Sequence, residues 1–415
     1  MSWREEGLDI LIKNCQIVTM NETDKIIEKG QLGIYEGDIV FVEKTGDSEK
    51  NLKADTVIDG EGKIVFPGLV NTHSHFFQSL LKGLGADLPL IDWVGSVLVP
   101  YGKKITPEMN YYAAKLVALE ALRTGCTTIT DFVYNHYYSQ MCDASIQALD
   151  DMNMRGVVIR GFFTRSKEYG LPSTHTEEIE TVFDDVDRML NDYQDKKDMI
   201  KIWMGPGEIR GIGAEELEAT AGFCNNRNIP YAMHLLESKV DNRYVNNSHQ
   251  LSAVELLAEK GFLSPELMAV NCARLVPEDI LFLAEYGVNV VYSAVSNMYL
   301  GSGIAPVLKL RDAGINISLG TEGALSNNTQ DMLETMKISS LLQKLDHEDP
   351  GVISAKNILR MATVNGANGL HWQENIGSLE PGKKADLFIF NPDNLRTFPM
   401  HDPVSSLVYS AGENG

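Results

Sequence analysis

The chain of 415 residues is poor in cations, in pairable cysteines and in long apolar runs. Lys and Arg number 36 against 57 Asp and Glu, a net charge of −21 at pH 7. A surface that binds a nucleic-acid backbone needs clustered cations, so this balance argues against nucleic acid as a partner. It argues equally against a polybasic membrane anchor. No uninterrupted apolar stretch reaches the ~20 residues of a bilayer span, so no membrane association is expected. The opening Met-Ser-Trp-Arg-Glu-Glu lacks the basic-then-apolar pattern of a secretion leader. Cys15, Cys126, Cys142, Cys224 and Cys272 include no CxxC pair and are odd in number, which points to a reduced, cytoplasmic protein.

What is present has the ordinary globular balance, 44% hydrophobic and 22% charged. At this length that suits a barrel-type domain with an accessory module, or two to three smaller domains. Strands are expected at Leu8–Thr19, Gly33–Glu36 and Asp38–Val42, and again at Ala385–Asn391. These groups from opposite ends of the chain can pair into one small sheet module. Between them, apolar runs alternate with helical patterns. The expected strands are Ile64–Thr72, Cys126–Phe132, Gly156–Phe163, Ile200–Met204, Tyr231–Leu235, Met268–Cys272, Val288–Ser293 and Asn316–Gly320. Eight strands with intervening helices, such as Thr106–Arg123 with Pro107 in its first turn, fit a (β/α)8 TIM-type barrel. An open doubly wound sheet would carry a glycine-rich phosphate loop after its first strand, and PGLVNTHSH has none. The acidic stretch Glu177–Asp198 reads as a solvated helix face.

Three elements carry chemistry, each at the C-terminal end of an expected barrel strand. His73-Ser74-His75 places two imidazoles on one side of a strand, because side chains two apart point the same way. His234 ends the fifth strand with Glu237 three residues beyond, and Glu322 follows the eighth in LGTEG. A barrel builds its active site on that rim. Three nitrogens and a carboxylate with open positions suit one divalent metal ion, Zn²⁺ first, with Fe²⁺ or Mn²⁺ as alternatives. Such an ion supplies hydroxide at neutral pH, and a nearby glutamate outside its ligand set could carry a proton. Hydrolysis is the natural outcome.

The segments PGLVNTHSHFFQSLLKG, LRTGCTTITDF, His234–Glu237, SNMYLGSGIAPV, LGTEGALSNN and IGSLEPGKKADLFIFN, in this order, resemble the amidohydrolase superfamily. The nearest branch is similar to cytosine, adenosylhomocysteine and aminotriazine deaminases and atrazine chlorohydrolase. The resemblance covers residues ~10–410. It implies a metal-dependent barrel over residues 66–376, with a β-sandwich made from residues 1–65 and 377–415. It also implies that His73, His75 and His234 bind the metal and that Glu237 passes a proton to a substrate ring nitrogen. Members usually carry one or two further sandwich strands beyond the point where this sequence stops.

Two positions depart from the pattern: Asn271 stands where the family usually has His, and Glu322 where it has Asp. Asn271 can donate a hydrogen bond to an oxyanion but cannot take up a proton. Glu322, one methylene longer, is expected either to ligate the metal or to hold its water. If the two changes are matched, their side chains should lie within reach of the same metal-bound water.

Gln78 and Trp93 occupy positions the family uses around its substrate, and Glu208 in GPGEIRG is a further candidate for binding an amino or amidinium group, or a partner of Arg210 at the surface. Trp93, Phe132, Tyr134, Phe162, Phe163 and Tyr299 are available to stack on a planar ring. Asn327 and Asn328 are read as shaping their loop. His136 is the one other histidine near the rim. The expected activity is release of ammonia from a small aminated N-heterocycle such as creatinine, cytosine or an aminotriazine. The alternatives are an adenosylhomocysteine- or methylthioadenosine-type deaminase, a triazine dehalogenase, and an inactive binding relative. A homo-oligomer is expected, with a small-molecule substrate as the other partner.

Overall fold

A computed structural model describes residues 7–46, 52–166 and 175–412. Its first five strands are β1 (Leu8–Val18), β2 (Ile26–Tyr35), β3 (Asp38–Lys44), β4 (Ala54–Asp59) and β5 (Ile64–Pro67). The barrel strands follow as β6 (Leu69–Ser74), β7 (Cys126–Val133), β8 (Arg155–Phe162) and β9 (Ile200–Pro206). They continue with β10 (Tyr231–Leu235), β11 (Leu267–Asn271), β12 (Asn289–Tyr292) and β13 (Ile317–Leu319), and β14 (Leu387–Phe390) comes last.

Strands β6 to β13 form one parallel sheet in which each lies beside its successor in sequence. Side chains and backbone close the ring between β13 and β6. Thr72 Oγ1 donates to the Leu319 carbonyl at 2.9 Å, and the Glu322 amide donates to the His73 carbonyl at 3.0 Å. All eight residues of β8 are buried, as a sheet covered on both faces requires. Each large aliphatic residue buried in this way contributes roughly 1.5–3 kcal/mol. On the outside, helix Pro107–Arg123 starts at Thr106, whose hydroxyl accepts from the Met109 amide at 3.3 Å, and buries an alanine-rich face against the barrel.

The second sheet has the order β14-β5-β1-β2-β3, with β4 also paired to β1, so both chain ends contribute as anticipated. Four details differ from the sequence-based expectation. The strand expected at Gly33–Glu36 is the longer β2, whose first half carries the exposed Glu28 and Lys29 that interrupt its apolar pattern. The single strand Ile64–Thr72 is two strands in two sheets, separated at Pro67 and Gly68. A Cβ on Gly68 would stand 2.0 Å from Thr127 Oγ1, so only glycine lets the chain turn the corner there. Strand β4, with mostly exposed side chains, has no apolar alternation by which sequence could reveal it. Residues 377–415 do not act as one segment: β14 joins the sheet, but helix Pro403–Tyr409 packs on the barrel's helical layer. There the Tyr409 hydroxyl meets Ser340 at 2.9 Å and accepts from Lys344 Nζ at 2.8 Å.

The acidic stretch after residue 177 is helical over Ile179–Asp192 and buries Val182, Val186 and Met189 at helical spacing. Its carboxylates are not all solvated, however. Glu177 and Asp185 hold the buried Arg160 guanidinium at 2.6 and 2.8 Å. All five cysteines are buried and free, and no described helix is long and apolar enough to cross a membrane.

Candidate metal centre and active site

The C-terminal strand ends bring four side chains to one point. His73 and His75 come from β6, His234 from β10, and Glu322 from the turn after β13; one ligand atom from each lies within 4.8 Å of all the others. Glu322 Oε2 is 3.4 Å from His73 Nε2 and 3.3 Å from His75 Nε2. Glu322 Oε1 is 3.7 Å from His234 Nε2, and the Nε2 atoms of His73 and His234 are 3.1 Å apart. Two ligands of one tetrahedral ion at ~2.05 Å stand about 3.3 Å apart, so these separations are those of a coordination sphere.

The orientation of the rings fits the same purpose. His75 Nδ1 donates to the Phe132 carbonyl and His234 Nδ1 to the Gly207 carbonyl, each at 2.7 Å, which leaves both Nε2 lone pairs facing the cluster. His73 Nδ1 has no such acceptor among the described residues. Burial holds His73 below the ordinary histidine range and His234 at about 3, so both rings are neutral at pH 7. Burial alone would raise Glu322, but the surrounding imidazole groups keep it well below the usual carboxylate range, and it is ionised.

Several backbone positions at this rim are left-handed although they are not glycine: Leu236 (φ 50°), Asn271 (72°), Cys272 (49°) and Glu322 (65°). Such conformations cost of order 1–3 kcal/mol each and persist where the surrounding structure enforces them. Here they turn the chain sharply at the strand ends. The turn at Glu322 is fixed by its amide bond to His73, the residue it meets again through its carboxylate.

Asn271 and Glu322 are in contact: Asn271 Nδ2 donates to Glu322 Oε1 at 3.1 Å, and both side chains are buried. Asn271 Oδ1 has no partner among the described residues. The donor assigned to an oxyanion from the sequence is therefore engaged with Glu322, so the amide acts first to orient that carboxylate.

Glu237 lines the same cavity as His75, His234 and Glu322. Burial, then the negative charges of Glu322, Asp241 and Glu208, push its carboxyl well above the ordinary range. Glu208 and Gln78 line the cavity too, as does Trp93. Gln78 Nε2 donates to the Tyr134 hydroxyl at 2.8 Å, while its Oε1 and the Trp93 Nε1 have no partner among the described residues. Glu208 pairs with Arg210 at 3.0 Å as the sequence allowed, but in the interior and not at the surface. Arg210 also holds Asp241 at 3.1 Å. Burial outweighs the guanidinium and raises the Glu208 carboxyl to about 8.

Of the aromatic candidates, Trp93, Tyr134 and Phe163 face the cavity. Phe132 packs against the three histidine rings at 5.4–5.9 Å between centroids, whereas Phe162 and Tyr299 are not in the lining. His136 bonds the Val133 carbonyl at 2.8 Å and stands outside the cluster. Asn327 and Asn328 bind backbone groups of Thr321 and Gly83, as loop-shaping residues do. Gly207 and Asp241 escaped the sequence reading. A Cβ on Gly207 would meet the Phe163 ring at 2.2 Å, and its carbonyl orients His234. The signal was GPGEIRG itself, which was read only for its charges.

Residues 64–413 match the sequence family described as the amidohydrolase family. A 5-methylthioadenosine/S-adenosylhomocysteine deaminase of Acetivibrio thermocellus is 33% identical over 404 residues, 97% of this chain and 90% of its own length. A 5′-deoxyadenosine deaminase of Methanosarcina barkeri is 35% identical over 405 residues, 97% of this chain and 89% of its own. Among solved structures, an adenosine deaminase from Xanthomonas campestris with bound zinc has a TM-score of 0.90 at 26% identity, covering 98% of this chain and 90% of that one. A triazine hydrolase from Arthrobacter aurescens has a TM-score of 0.90 at 25% identity, covering 97% and 91%. His73, His75, His234 and Glu322 form a divalent-metal site on a fold that holds zinc in the Xanthomonas protein.

Proposed function

Since this chain belongs to the amidohydrolase family, and is a hydrolase of carbon–nitrogen bonds in cyclic amidines, we propose that it deaminates a 6-aminopurine nucleoside. The first compounds to test are 5′-deoxyadenosine, 5-methylthioadenosine and S-adenosylhomocysteine. The observation that carries this reading is that deaminases of these nucleosides align with 97% of the chain. They favour a nucleoside over the small heterocycle expected from sequence.

His73, His75, His234 and Glu322 would hold a divalent ion, which would supply activation of a water molecule toward an electrophilic carbon. The remaining work falls to the protein's own groups. Net reaction replaces the exocyclic amino group at purine C6 by oxygen and releases ammonia. Glu237, whose carboxyl is pushed well above the ordinary range by burial, gives a proton to the ring nitrogen beside C6, takes one from the added water oxygen and passes it to the departing amine. Asn271 holds the Glu322 carboxylate in place. Trp93, Tyr134 and Phe163 wall the ring, and the unpaired oxygens of Gln78 and Glu208 are acceptors for substrate N–H or hydroxyl groups. The cavity holds only about 40 Å³, enough for one or two waters. Admission of a purine therefore requires part of the lining, which includes the segment carrying Leu90, Trp93 and Leu98, to give way. That segment contains a π-helical turn, Val94–Leu98, a local irregularity often found at functional sites.

The test is ammonia release by zinc-loaded protein from the three nucleosides, with cytosine, creatinine and an aminotriazine in parallel and chloride release from a chlorotriazine. Turnover of a nucleoside with kcat/KM at least tenfold above the others supports the reading. Preference for a free heterocycle, or chloride release alone, overturns it.

A further inference from the structure

Helix Pro107–Arg123 is apolar on both sides. Its inner face buries Ala113, Ala114, Val117, Ala118 and Ala121 against the barrel. An outer face ordinarily carries charge, yet here Met109, Tyr112, Leu116, Leu119 and Leu122 are 39–59% exposed. Spacings of three and four residues put the first four of these on one ridge. No other described helix exposes more than two large apolar side chains. Beside the ridge, Ser79 Oγ donates to the Ala113 carbonyl at 3.3 Å and Lys82 pairs with Glu120 at 2.7 Å. The exposed Leu80 between them extends the apolar surface. A helix apolar all round belongs in an interior, and a contiguous apolar patch with a polar rim marks an interaction site.

We propose that this face is where two copies of the chain meet, the helix packing antiparallel on its own symmetry mate about a two-fold axis at Leu116. The order of residues along the ridge selects that occupant. From either end it runs charge, apolar, apolar: Glu108, Met109 and Tyr112 from the start, Arg123, Leu122 and Leu119 from the finish, with Leu116 at the midpoint. In a two-fold interface residue i meets j while j meets i. Tyr112 of each copy therefore faces Leu119 of the other, and Leu116 faces its own counterpart. Glu108 stands opposite Arg123 twice, once at each end. Apolar groups at the centre with opposite charges at the rim are the anatomy of a protein interface.

A lipid surface is the other apolar partner to weigh. Helices that lie on membranes carry Lys and Arg along their polar flanks. This ridge is flanked by Glu108, Lys115, Glu120 and Arg123, two of each sign, in a chain of net charge −21. That balance suits a copy of itself and not an anionic bilayer.

Sedimentation velocity of the zinc-loaded full chain should show a dimer with Kd below about 10 µM. Leu116→Glu, which sets two carboxylates against each other on the axis, should weaken it at least a hundredfold, with metal content unchanged and Tm within a few degrees. Should that variant fail to fold, Leu119→Lys carries the test. Arg123→Glu alone should weaken the dimer about tenfold, since both rim pairs become repulsive, and adding Glu108→Arg should restore it. With a short bis-maleimide, Leu116→Cys should link to its own copy, while the wild type, whose five cysteines are buried, should not. Tyr112→Cys and Leu119→Cys should link efficiently only when mixed. A monomer at about 50 µM overturns the proposal, including one that binds phosphatidylcholine vesicles through this face. So does a dimer indifferent to Leu116→Glu, or a charge reversal that the second reversal fails to rescue.

Discussion

The two ends of the barrel are built on opposite principles. The C-terminal rim gathers imidazoles and carboxylates: His73, His75, His234, Glu208, Glu237 and Glu322 all belong to one buried cluster or its cavity wall. The N-terminal face, where the strands begin, gathers ion pairs and indoles: Arg155 with Asp386, Lys384 with Asp38, and the rings of Trp203 and Trp372. The rim is also where strand ends adopt left-handed backbone at Leu236, Asn271, Cys272 and Glu322. At the other face the left-handed residues Asn228 and His371 merely end helices. One sheet thus supports a conformationally costly end that gathers buried carboxyl and imidazole groups and an ordinary end that does not. The rim's ligand groups converge where a metal ion would sit, and that is where the comparison can be broken hardest.

Removal of the metal is the largest expected effect. A chelator should abolish ammonia release while zinc restores it, and His234→Ala should abolish both metal content and activity, because these nitrogens have no substitute within the cluster. Metal-free protein that keeps full activity would remove the chemistry from the rim altogether. Next comes Glu237→Gln, which keeps shape and metal but not the transferable proton. It should lower kcat by ~10²-fold or more, the scale of general acid–base catalysis. Elemental analysis of that variant must show unchanged metal, and an unchanged kcat would assign Glu237 to binding only.

The sequence discloses the rim better than any other part of the molecule. His73 and His75 share a face because a strand has period two, and His234 and Glu322 end apolar strands whose order already implies a barrel. That Asn271 and Glu322 belong to one site was expected from their joint departure from the family pattern, through a shared metal-bound water; their direct hydrogen bond is the structure's addition. The engagement of the Asn271 donor was not expected, because residue type tells which bonds a side chain can make and not which one it makes. Gly207 and the buried setting of the Glu208–Arg210–Asp241 group were illegible for a related reason: they depend on how β9 and β10 part company. Those strands share one registered pair, Met204 with Tyr231, before meeting again at the Glu208–His234 bridge. The opposite face gave no signal at all, since it is built from strand starts and a distant helix end with no common motif.

Asn271 and Glu322 provide a finer test of the rim. Coupled residues in one buried network show interaction energies of roughly 0.5–3 kcal/mol. Asn271→His should crowd the longer Glu322, and Glu322→Asp should open a gap beside Asn271, whose Nδ2 now meets Glu322 Oε1 at 3.1 Å. Each single change should lower kcat/KM, and the double change should recover part of the loss. Strictly additive effects, with metal content measured for all four proteins, would show that the two substitutions are independent.

The smallest effect compares the two ends directly through pH. Burial brings one group at each end to about 8 from opposite directions: Glu208 upward from 4.5 and Lys201 downward from 10.5. Between pH 4.5 and 8 folded Glu208 keeps a proton that the unfolded chain has given up, so its contribution to stability falls as pH rises through that window. Between pH 8 and 10.5 folded Lys201 has lost a proton that the unfolded chain retains, so its contribution rises. Neither slope can exceed about 1.4 kcal/mol per pH unit, the value for one proton. That of Lys201 must be smaller, because water reaches its half-buried ammonium and screens it. A cation at the rim favours ionised Glu208, so metal-free protein should show the steeper acid-side slope. The measurement is the difference in Tm between wild type and Glu208→Gln from pH 5 to 8, and between wild type and Lys201→Met from pH 8 to 10. The first difference should move against the wild type with rising pH and the second in its favour. Two slopes of the same sign would mean that burial does not govern both ends, and the contrast between them would fail.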